Sequence, residues 1–254
     1  MRVVENNFGA STCLREPGPQ ETVCGPSLPF GPIRPGVSLA ICHRSQLCAT
    51  PCDAAEFALL GSNVAPKRRE QFVLGRCAAH LALRKLHHYD ASPIGRKFGG
   101  APAWPTPFVG SITHCGDWAI AAVANARDLN SIGIDLEQSS AVAVNEIIDF
   151  VTTAREREWV LSAPDTQLRL AAVFSAKEAA YKALFPLCGR FFDFQAIEIT
   201  PSPERSSFRG TLCEQLSADF GVGYRLEIGC QTSGTFVFTH ALIHHPGKTR
   251  YVHS

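Results

Sequence analysis

The chain of 254 residues lacks the features of a membrane protein and of a nucleic-acid-binding protein. No apolar run reaches the ~18 residues that span a bilayer, and the opening MRVVENNFGAS lacks the charged, apolar, small-residue order of a signal peptide. Charge of one sign is not in excess, because the formal net charge is only +1, whereas general nucleic-acid binders carry a basic excess. We therefore expect a cytoplasmic protein with neither membrane nor nucleic acid as partner.

Paired cysteines of the C-x2-C type, which hold structural zinc, are absent from the sequence as well. Its ten cysteines are scattered along predicted strands and helices, as small buried apolar residues are. In a reducing cytoplasm we expect them to be free thiols. The one dense group is Cys42-His43, Cys48 and Cys52. Without the paired spacing, this group does not favour a metal site.

The residues that are present favour an α/β fold with a real core. The chain is 45% hydrophobic, enough for one large domain or two smaller halves. Residues 1–36 are rich in proline, glycine and serine and predict an extended arm. Residues 37–130 contain predicted strands around one long helix. Residues 131–254 begin with a strand, continue through predicted helices at Val142–Leu161 and Leu168–Leu184, and close with three strands.

The most informative segment is the acidic stretch Gly133-Ile134-Asp135-Leu136-Glu137. Apolar and polar side chains alternate here, which is the period of a half-buried strand. Successive side chains on a strand point to opposite faces, so Asp135 and Glu137 emerge on the same face, about 7 Å apart at ~3.3 Å per residue. The two carboxylates are therefore close enough to share one ion.

A predicted helix with a third carboxylate follows about forty residues later. Apolar residues recur at helical spacing up to Leu184, and Pro186 is predicted to terminate the run. Ser175, Glu178 and Lys182 stand at i, i+3 and i+7 and so share one stripe. Clustered like charges need a cation, and Mg²⁺ prefers carboxylate oxygens together with phosphate. The pattern predicts a magnesium site for a phosphorylated substrate, although each acid taken singly fits an ordinary surface charge.

The segments GIDLE (133–137) and FSAKEAAYKAL (174–184) together resemble the signature of the 4′-phosphopantetheinyl transferases. The resemblance extends over about residues 67–184 and includes KRREQFVLGRCAAHLAL (67–83), PIGRKFGGAPAWP (93–105) and GSITHCGDW (110–118). The surrounding residues are similar to the branch that serves siderophore and other secondary-metabolite synthases. The resemblance implies two similar α/β subdomains in one chain, related by pseudo-twofold symmetry, with the active site between them. It also implies a monomer.

The resemblance implies a role for each site residue. Asp135, Glu137 and Glu178 match the acids that bind Mg²⁺, and Lys182 matches the lysine that contacts the transferred phosphate. Coenzyme A would be held by the residues that match its phosphate-binding positions: Arg68, Arg76, Arg96, Thr113 and His114.

A phosphate-binding role for the arginines is also expected independently of the resemblance, since guanidinium groups bind phosphate oxygens through paired, charge-assisted hydrogen bonds. Arg68 and Arg76 lie on a predicted amphipathic helix, Ala65–His88, whose first turn holds Pro66. Arg69 is an alternative to Arg68, because spacing alone does not decide which of the two faces the ligand. Most basic runs on helices are simply solvated faces.

The implied reaction transfers the 4′-phosphopantetheine arm of coenzyme A to a serine of an apo acyl, peptidyl or aryl carrier protein and releases 3′,5′-ADP. Mg²⁺ would bridge the pyrophosphate, and Glu178 or a metal-bound water would take the proton of the serine. Two alternatives stay open. One is a Mg²⁺-dependent hydrolase of a coenzyme A or nucleotide pyrophosphate, and the other is a non-catalytic binding module whose metal is structural.

Overall fold

The computed structural model describes residues 27–45, 54–61, 63–90, 92–202 and 206–246. Most of the predicted arm, together with Cys48 and Cys52, lies outside these residues. The described part of the arm runs without regular structure along the body of the protein. Its ring at Phe30 lies 5.2 Å from that of Phe238, and the N–H of Gly31 donates to Gln231 Oε1 at 2.7 Å.

The N-terminal half is a three-stranded antiparallel sheet covered by one long helix. Its strands are β1 (Val37–His43), β4 (Phe108–Cys115) and β5 (Trp118–Asn125), in the order β1-β5-β4. Helix α2 (Pro66–Lys85) packs across β5 and β1. Alanines dominate this contact, so the helix backbone approaches the sheet closely. The buried residues on the two sides are Leu74, Cys77, Ala78, Ala79, Ala82 and Leu83 from the helix, and Ala40, Cys42, Ala119, Ala121 and Val123 from the sheet.

Short elements fill the connections of this half. Helix α1 (Ala54–Ala58) precedes α2, and the two-residue strands β2 (Gly95–Arg96) and β3 (Pro102–Ala103) pair with each other after it. A 3-10 turn at Phe98–Gly100 lies between β2 and β3.

The C-terminal half repeats the arrangement on a larger scale, with a five-stranded antiparallel sheet in the order β6-β10-β9-β8-β7. The strands are β6 (Ser131–Gln138), β7 (Ile197–Pro201), β8 (Ser207–Leu212), β9 (Arg225–Ser233) and β10 (Phe236–Ile243). The helices are α3 (Val144–Val151), α4 (Ala154–Leu161) and α5 (Thr166–Cys188). Helix α5 packs across β6 and β10. The predicted α/β architecture of two subdomains is confirmed.

The two halves meet where β4 lies beside β6. The N–H of Ile134 donates to Ser111 Oγ at 3.1 Å, and the N–H of Leu136 donates to Thr113 Oγ1 at 3.2 Å. Side-chain hydroxyls thus satisfy backbone donors that a neighbouring strand would otherwise pair. The predicted boundary between residues 130 and 131 falls at the start of β6, and the division into domains there stays a prediction.

The helices of the C-terminal half differ in two places from those predicted. The single helix expected over Val142–Leu161 is divided into α3 and α4, because a capping box between Thr153 and Glu156 starts a new helix. Helix α5 also continues past Pro186 and ends only at Gly189, which adopts a left-handed φ of 63°. A proline removes one intrahelical hydrogen bond, but the remaining bonds keep the backbone helical up to Gly189, whose left-handed conformation ends the helix.

None of the helices in the described ranges combines the length and the apolar character that crossing a membrane requires.

Candidate active site

A cavity of about 680 Å³ lies between the two halves and is lined by both. The predicted acidic residues line it from β6 and α5, and predicted basic residues line it from α2 and β4. Its charged and polar lining residues include Arg68, Lys97, Thr113, His114, Asp135, Glu137, Glu178, Tyr181 and Lys182. Of the predicted site residues, Arg76 and Arg96 do not line this cavity.

Asp135 is the most buried of the three acids, with 3% of its surface exposed. Its Oδ1 accepts two hydrogen bonds, from Lys182 Nζ at 2.6 Å and from Thr113 Oγ1 at 3.1 Å. Its Oδ2 is buried without a hydrogen-bond partner among the described residues. An unsatisfied buried carboxylate oxygen is costly, so this oxygen indicates where a cation or a donor from a ligand would bind.

The close packing of β6 against α5 holds the acids together. Gly133 makes this packing possible, because a side-chain carbon there would overlap the carbonyl oxygen of Ala179. Glu178 and Lys182 each precede one of the two α5 residues that Gly133 contacts, Ala179 and Ala183. The glycine of the acidic segment therefore fixes the spacing between the acids on the strand and the charged residues on the helix.

The charges in the cavity shift one another's pKa. Burial, with Asp135 second, raises the pKa of Glu137 to about 8, and burial also raises the pKa of Glu178. Burial opposes the charge on Lys182, but Asp135 and Glu178 outweigh it and raise the pKa of this lysine. Such mutual perturbation in a cleft is typical of functional sites.

The donor set fits a hard divalent cation in kind, since carboxylate oxygens are the ligands that Mg²⁺ prefers. Within the described ranges, however, no three His, Cys, Asp and Glu side chains converge closely enough to hold a metal ion as they stand. Lys182 neutralises Asp135 instead. The unpartnered Oδ2 of Asp135 and the raised pKa of Glu137 both indicate that this cluster lacks positive charge.

Arg68 on α2 and His114 on β4 line the same cavity as the acids. Arg68 Nη1 and His114 Nε2 lie 2.9 Å apart. Burial, followed by the charges of Arg68 and Lys182, lowers the pKa of His114. Arg68 lines the cavity, whereas the guanidinium of Arg69 lies over the ring of Phe57, 5.2 Å from its centroid. That Arg68 is the one that meets the ligand stays a prediction.

The other two arginines line a second cavity of about 220 Å³, which shares Arg68 and His114 with the first. Arg96 is exposed there, and its Nη1 lies 3.5 Å from the carbonyl of Leu59. Arg76 is 3% exposed, and its Nη2 donates to the carbonyl of Gly95 at 3.1 Å. Arg76 is thus engaged by the protein itself.

The sequence did not indicate the contacts of Thr113, a predicted site residue, or of Ser175, which shares the predicted stripe of Glu178 and Lys182. Thr113 is buried and uses its hydroxyl twice, as donor to Asp135 and as acceptor from Leu136. Ser175 does not reach the cavity, because its hydroxyl bonds Thr239 on β10 at 2.8 Å. Neither contact leaves a local sequence signal, since both join segments that are distant along the chain.

Two stretches of the chain match models of one protein family. Residues 55–124 match the 4′-phosphopantetheinyl transferase N-terminal domain, and residues 131–229 match the 4′-phosphopantetheinyl transferase superfamily. The 4′-phosphopantetheinyl transferase PptT of Mycobacterium tuberculosis is 33% identical over 165 residues, which are 65% of this chain and 71% of that protein. The chain belongs to the 4′-phosphopantetheinyl transferase family.

Two further relatives give the branch within this family. The 4′-phosphopantetheinyl transferase Npt of Nocardia iowensis is 42% identical over 147 residues, 58% of this chain. Enterobactin synthase component D of Escherichia coli K12 is 36% identical over 134 residues, 52% of this chain. These relatives are of the secondary-metabolite and siderophore type. The chain spans less than two thirds of each, 64% of Npt and 62% of the enterobactin component.

Proposed function

We propose that this transferase-family protein moves the 4′-phosphopantetheine arm of coenzyme A to a serine of an apo acyl, peptidyl or aryl carrier protein and releases 3′,5′-ADP. The observation that carries the proposal is the buried, unpartnered Oδ2 of Asp135, set beside Lys182 in a cavity that Arg68 and His114 also line. Three acids with only one lysine beside them thus share a cavity with Arg68 and His114. A complex of a divalent cation with a pyrophosphate would supply positive charge to the acids and phosphate oxygens to Arg68.

Asp135, Glu137 and Glu178 would hold Mg²⁺, and the ion would supply charge neutralisation at the pyrophosphate. Lys182 Nζ donates a hydrogen bond to Asp135 Oδ1. We propose that Lys182 would contact the transferred phosphate when coenzyme A is bound. The Lys182 side chain, paired with Asp135, is 28% exposed at the cavity, so its reorientation does not require the core to move.

Arg68, His114 and Arg96 would hold the 3′-phosphate and pyrophosphate of coenzyme A, with Arg76 and Thr113 acting behind them. Arg68 and Arg96 are exposed in adjoining cavities and present guanidinium donors, which bind phosphate oxygens bidentately. Thr113 fixes one oxygen of Asp135 and so directs the other oxygen toward the ligand.

Glu178 would take the proton from the carrier serine as it attacks the β-phosphorus. Its pKa is raised by burial, which brings a carboxylate closer to the range in which a general base works. The serine oxygen forms a bond to phosphorus, and the bond from phosphorus to the departing 3′,5′-ADP breaks. Because both walls of the cavity come from one chain, we propose that a monomer is sufficient for the reaction.

The test is the intact mass of an apo carrier protein after incubation with coenzyme A and Mg²⁺. The transferred arm adds ~340 Da to the carrier, and we expect this gain from the wild type and from Glu158→Gln, an exposed glutamate on α4. Glu178→Gln should abolish it. Phosphopantetheine released into water without a gain in carrier mass would instead indicate a hydrolase. Coenzyme A bound without turnover would indicate a binding module.

A further inference from the structure

A second buried carboxylate, Glu56 on α1, lies away from the acidic cluster and is fully buried. Its Oε1 accepts from His80 Nε2 at 3.0 Å and from the backbone N–H of Ile94 at 2.8 Å. Arg76 Nε lies 4.0 Å from the same oxygen. Glu56 therefore joins three segments: α1, α2 and the chain that leads into β2.

The segment that Glu56 holds at Ile94 continues directly into the walls of both cavities. Arg76 Nη2 donates to the carbonyl of Gly95, next to Ile94, so two consecutive backbone groups are fixed by one buried ion pair. Beyond them, the N–H of Lys97 donates to the carbonyl of Ala101 at 2.8 Å and closes the loop between β2 and β3. We call residues 94–103 the β2–β3 loop.

The β2–β3 loop contributes to both cavities and reaches the other half of the protein. Lys97, Gly99 and Gly100 line the main cavity, and Arg96 lines the second. Gly99 packs against the ring of Phe185 on α5, where a side-chain carbon would collide with that ring. The loop therefore spans from the ion pair in the N-terminal half to the helix that carries Glu178.

We propose that Glu56 is a positioning residue for coenzyme A, acting through the β2–β3 loop. This inference rests on the proposed function, since it names what orients a residue proposed to bind the phosphates, Arg96. A buried carboxylate that accepts a backbone N–H fixes both the position and the orientation of that peptide, which apolar packing does not do. It also holds the guanidinium of Arg76 in the direction of Gly95. Arg76 thus supports the β2–β3 loop, and Arg96 is the arginine of that loop that contacts the phosphates of coenzyme A.

The test compares Glu56→Gln with Glu70→Gln, which removes an exposed carboxylate of α2 that pairs with Arg44. Glutamine keeps the volume of Glu56 but removes the charge that Arg76 and His80 face. In Glu56→Gln we expect faster hydrogen exchange across residues 94–103. We also expect a Kd for coenzyme A raised by about tenfold or more, the size of effect that follows the loss of a buried charged partner. Because β6 and α5 carry the reacting groups, kcat should stay within about threefold. Glu70→Gln should match the wild type in all three.

A folded Glu56→Gln protein with wild-type exchange in the β2–β3 loop, or with an unchanged Kd for coenzyme A, would overturn the proposal. If Glu56→Gln does not fold, His80→Leu removes one donor to the same oxygen at a partly exposed site and should shift exchange and Kd in the same direction. Failure of the wild type to bind coenzyme A would contradict the proposed function. Hydrogen exchange across residues 94–103 tests independently of coenzyme A whether Glu56 holds the β2–β3 loop in place.

Discussion

Gly133→Ala is the substitution that most directly disturbs the contact on which the acidic site is built. The added methyl would overlap the carbonyl oxygen of Ala179 and lie 2.5 Å from the nitrogen of Ala183. Both are backbone atoms of α5, so neither can turn away as a side chain would. Ordinary contacts between such atoms are about 3.5–4.0 Å, and β6 must therefore move from α5 by on the order of 1 Å.

This displacement should affect stability and activity together. Overpacking a core costs up to ~3 kcal/mol or somewhat more, and in a protein of this size each kcal/mol lowers Tm by about 2–4 °C. We expect a fall of roughly 6–12 °C. Asp135 moves with β6 and Glu178 stays with α5, and a misplacement of about 1 Å can reduce turnover by ~100-fold.

The measurements are a thermal melt and kcat/KM for phosphopantetheine transfer. Gly221→Ala is the matched control, because nothing lies within 4 Å of a side-chain carbon at that position and its φ is not in the left-handed region. The control should change neither quantity. A Gly133→Ala protein with a Tm within about 2 °C of the wild type would refute the close approach of β6 and α5.

Three further predictions concern single side chains. Thr113→Val removes the donor to Asp135 and leaves the N–H of Leu136 unsatisfied, so we expect a loss of about 1–3 kcal/mol in the free energy of unfolding and lower kcat/KM. Thr113→Ser keeps the hydroxyl and both of its hydrogen bonds. Equal turnover by the valine and serine variants would count against the contact. Lys177→Met leaves buried Glu156 without its ammonium partner at 2.7 Å and should lower the free energy of unfolding, measured by urea denaturation, by about 3–5 kcal/mol. Adding Glu156→Gln should recover part of this loss. A loss under about 1 kcal/mol would contradict the prediction. Burial, with Asp135 second, raises the pKa of Glu137 to about 8, so this carboxyl group is largely protonated at neutral pH and Mg²⁺ binding should release a proton and tighten as pH rises. Calorimetry in buffers of different ionisation enthalpy measures this release, and heats that do not depend on the buffer would exclude it.

The acidic strand and its partner helix could be predicted from the sequence because both depend on local periodicity. Alternation over 132–137 predicts one strand face for Asp135 and Glu137, and the structure has both in the lining of one cavity. Helical spacing likewise brings Glu178 and Lys182 into that lining. The same periodicity places Ser175 on the stripe of Glu178 and Lys182, but its hydroxyl contacts Thr239 on β10 and does not line the cavity.

The contacts that support the site could not be predicted, since they join residues that are far apart along the chain. Glu56 meets His80 and Ile94, which lie 24 and 38 residues further along the chain, and nothing in the pattern around any of the three indicates the contact. Lys177 is a related case. A lysine in a helix is normally predicted to be exposed, whereas the ammonium of Lys177 is buried against Glu156. The capping box at Thr153 and Glu156 did leave a T-x-x-E signal that could have divided α3 from α4.

The most direct test of the acidic site is anomalous diffraction at the manganese edge from crystals grown with coenzyme A and Mn²⁺, which binds the same oxygen ligands as Mg²⁺. We predict one peak in contact with Asp135 Oδ2, with Glu137 and Glu178 beside it and the pyrophosphate completing its coordination. Lys182 should have left Asp135 for the phosphate. A peak elsewhere, or coenzyme A bound outside the cavity between the two halves, would contradict the assignment of these residues.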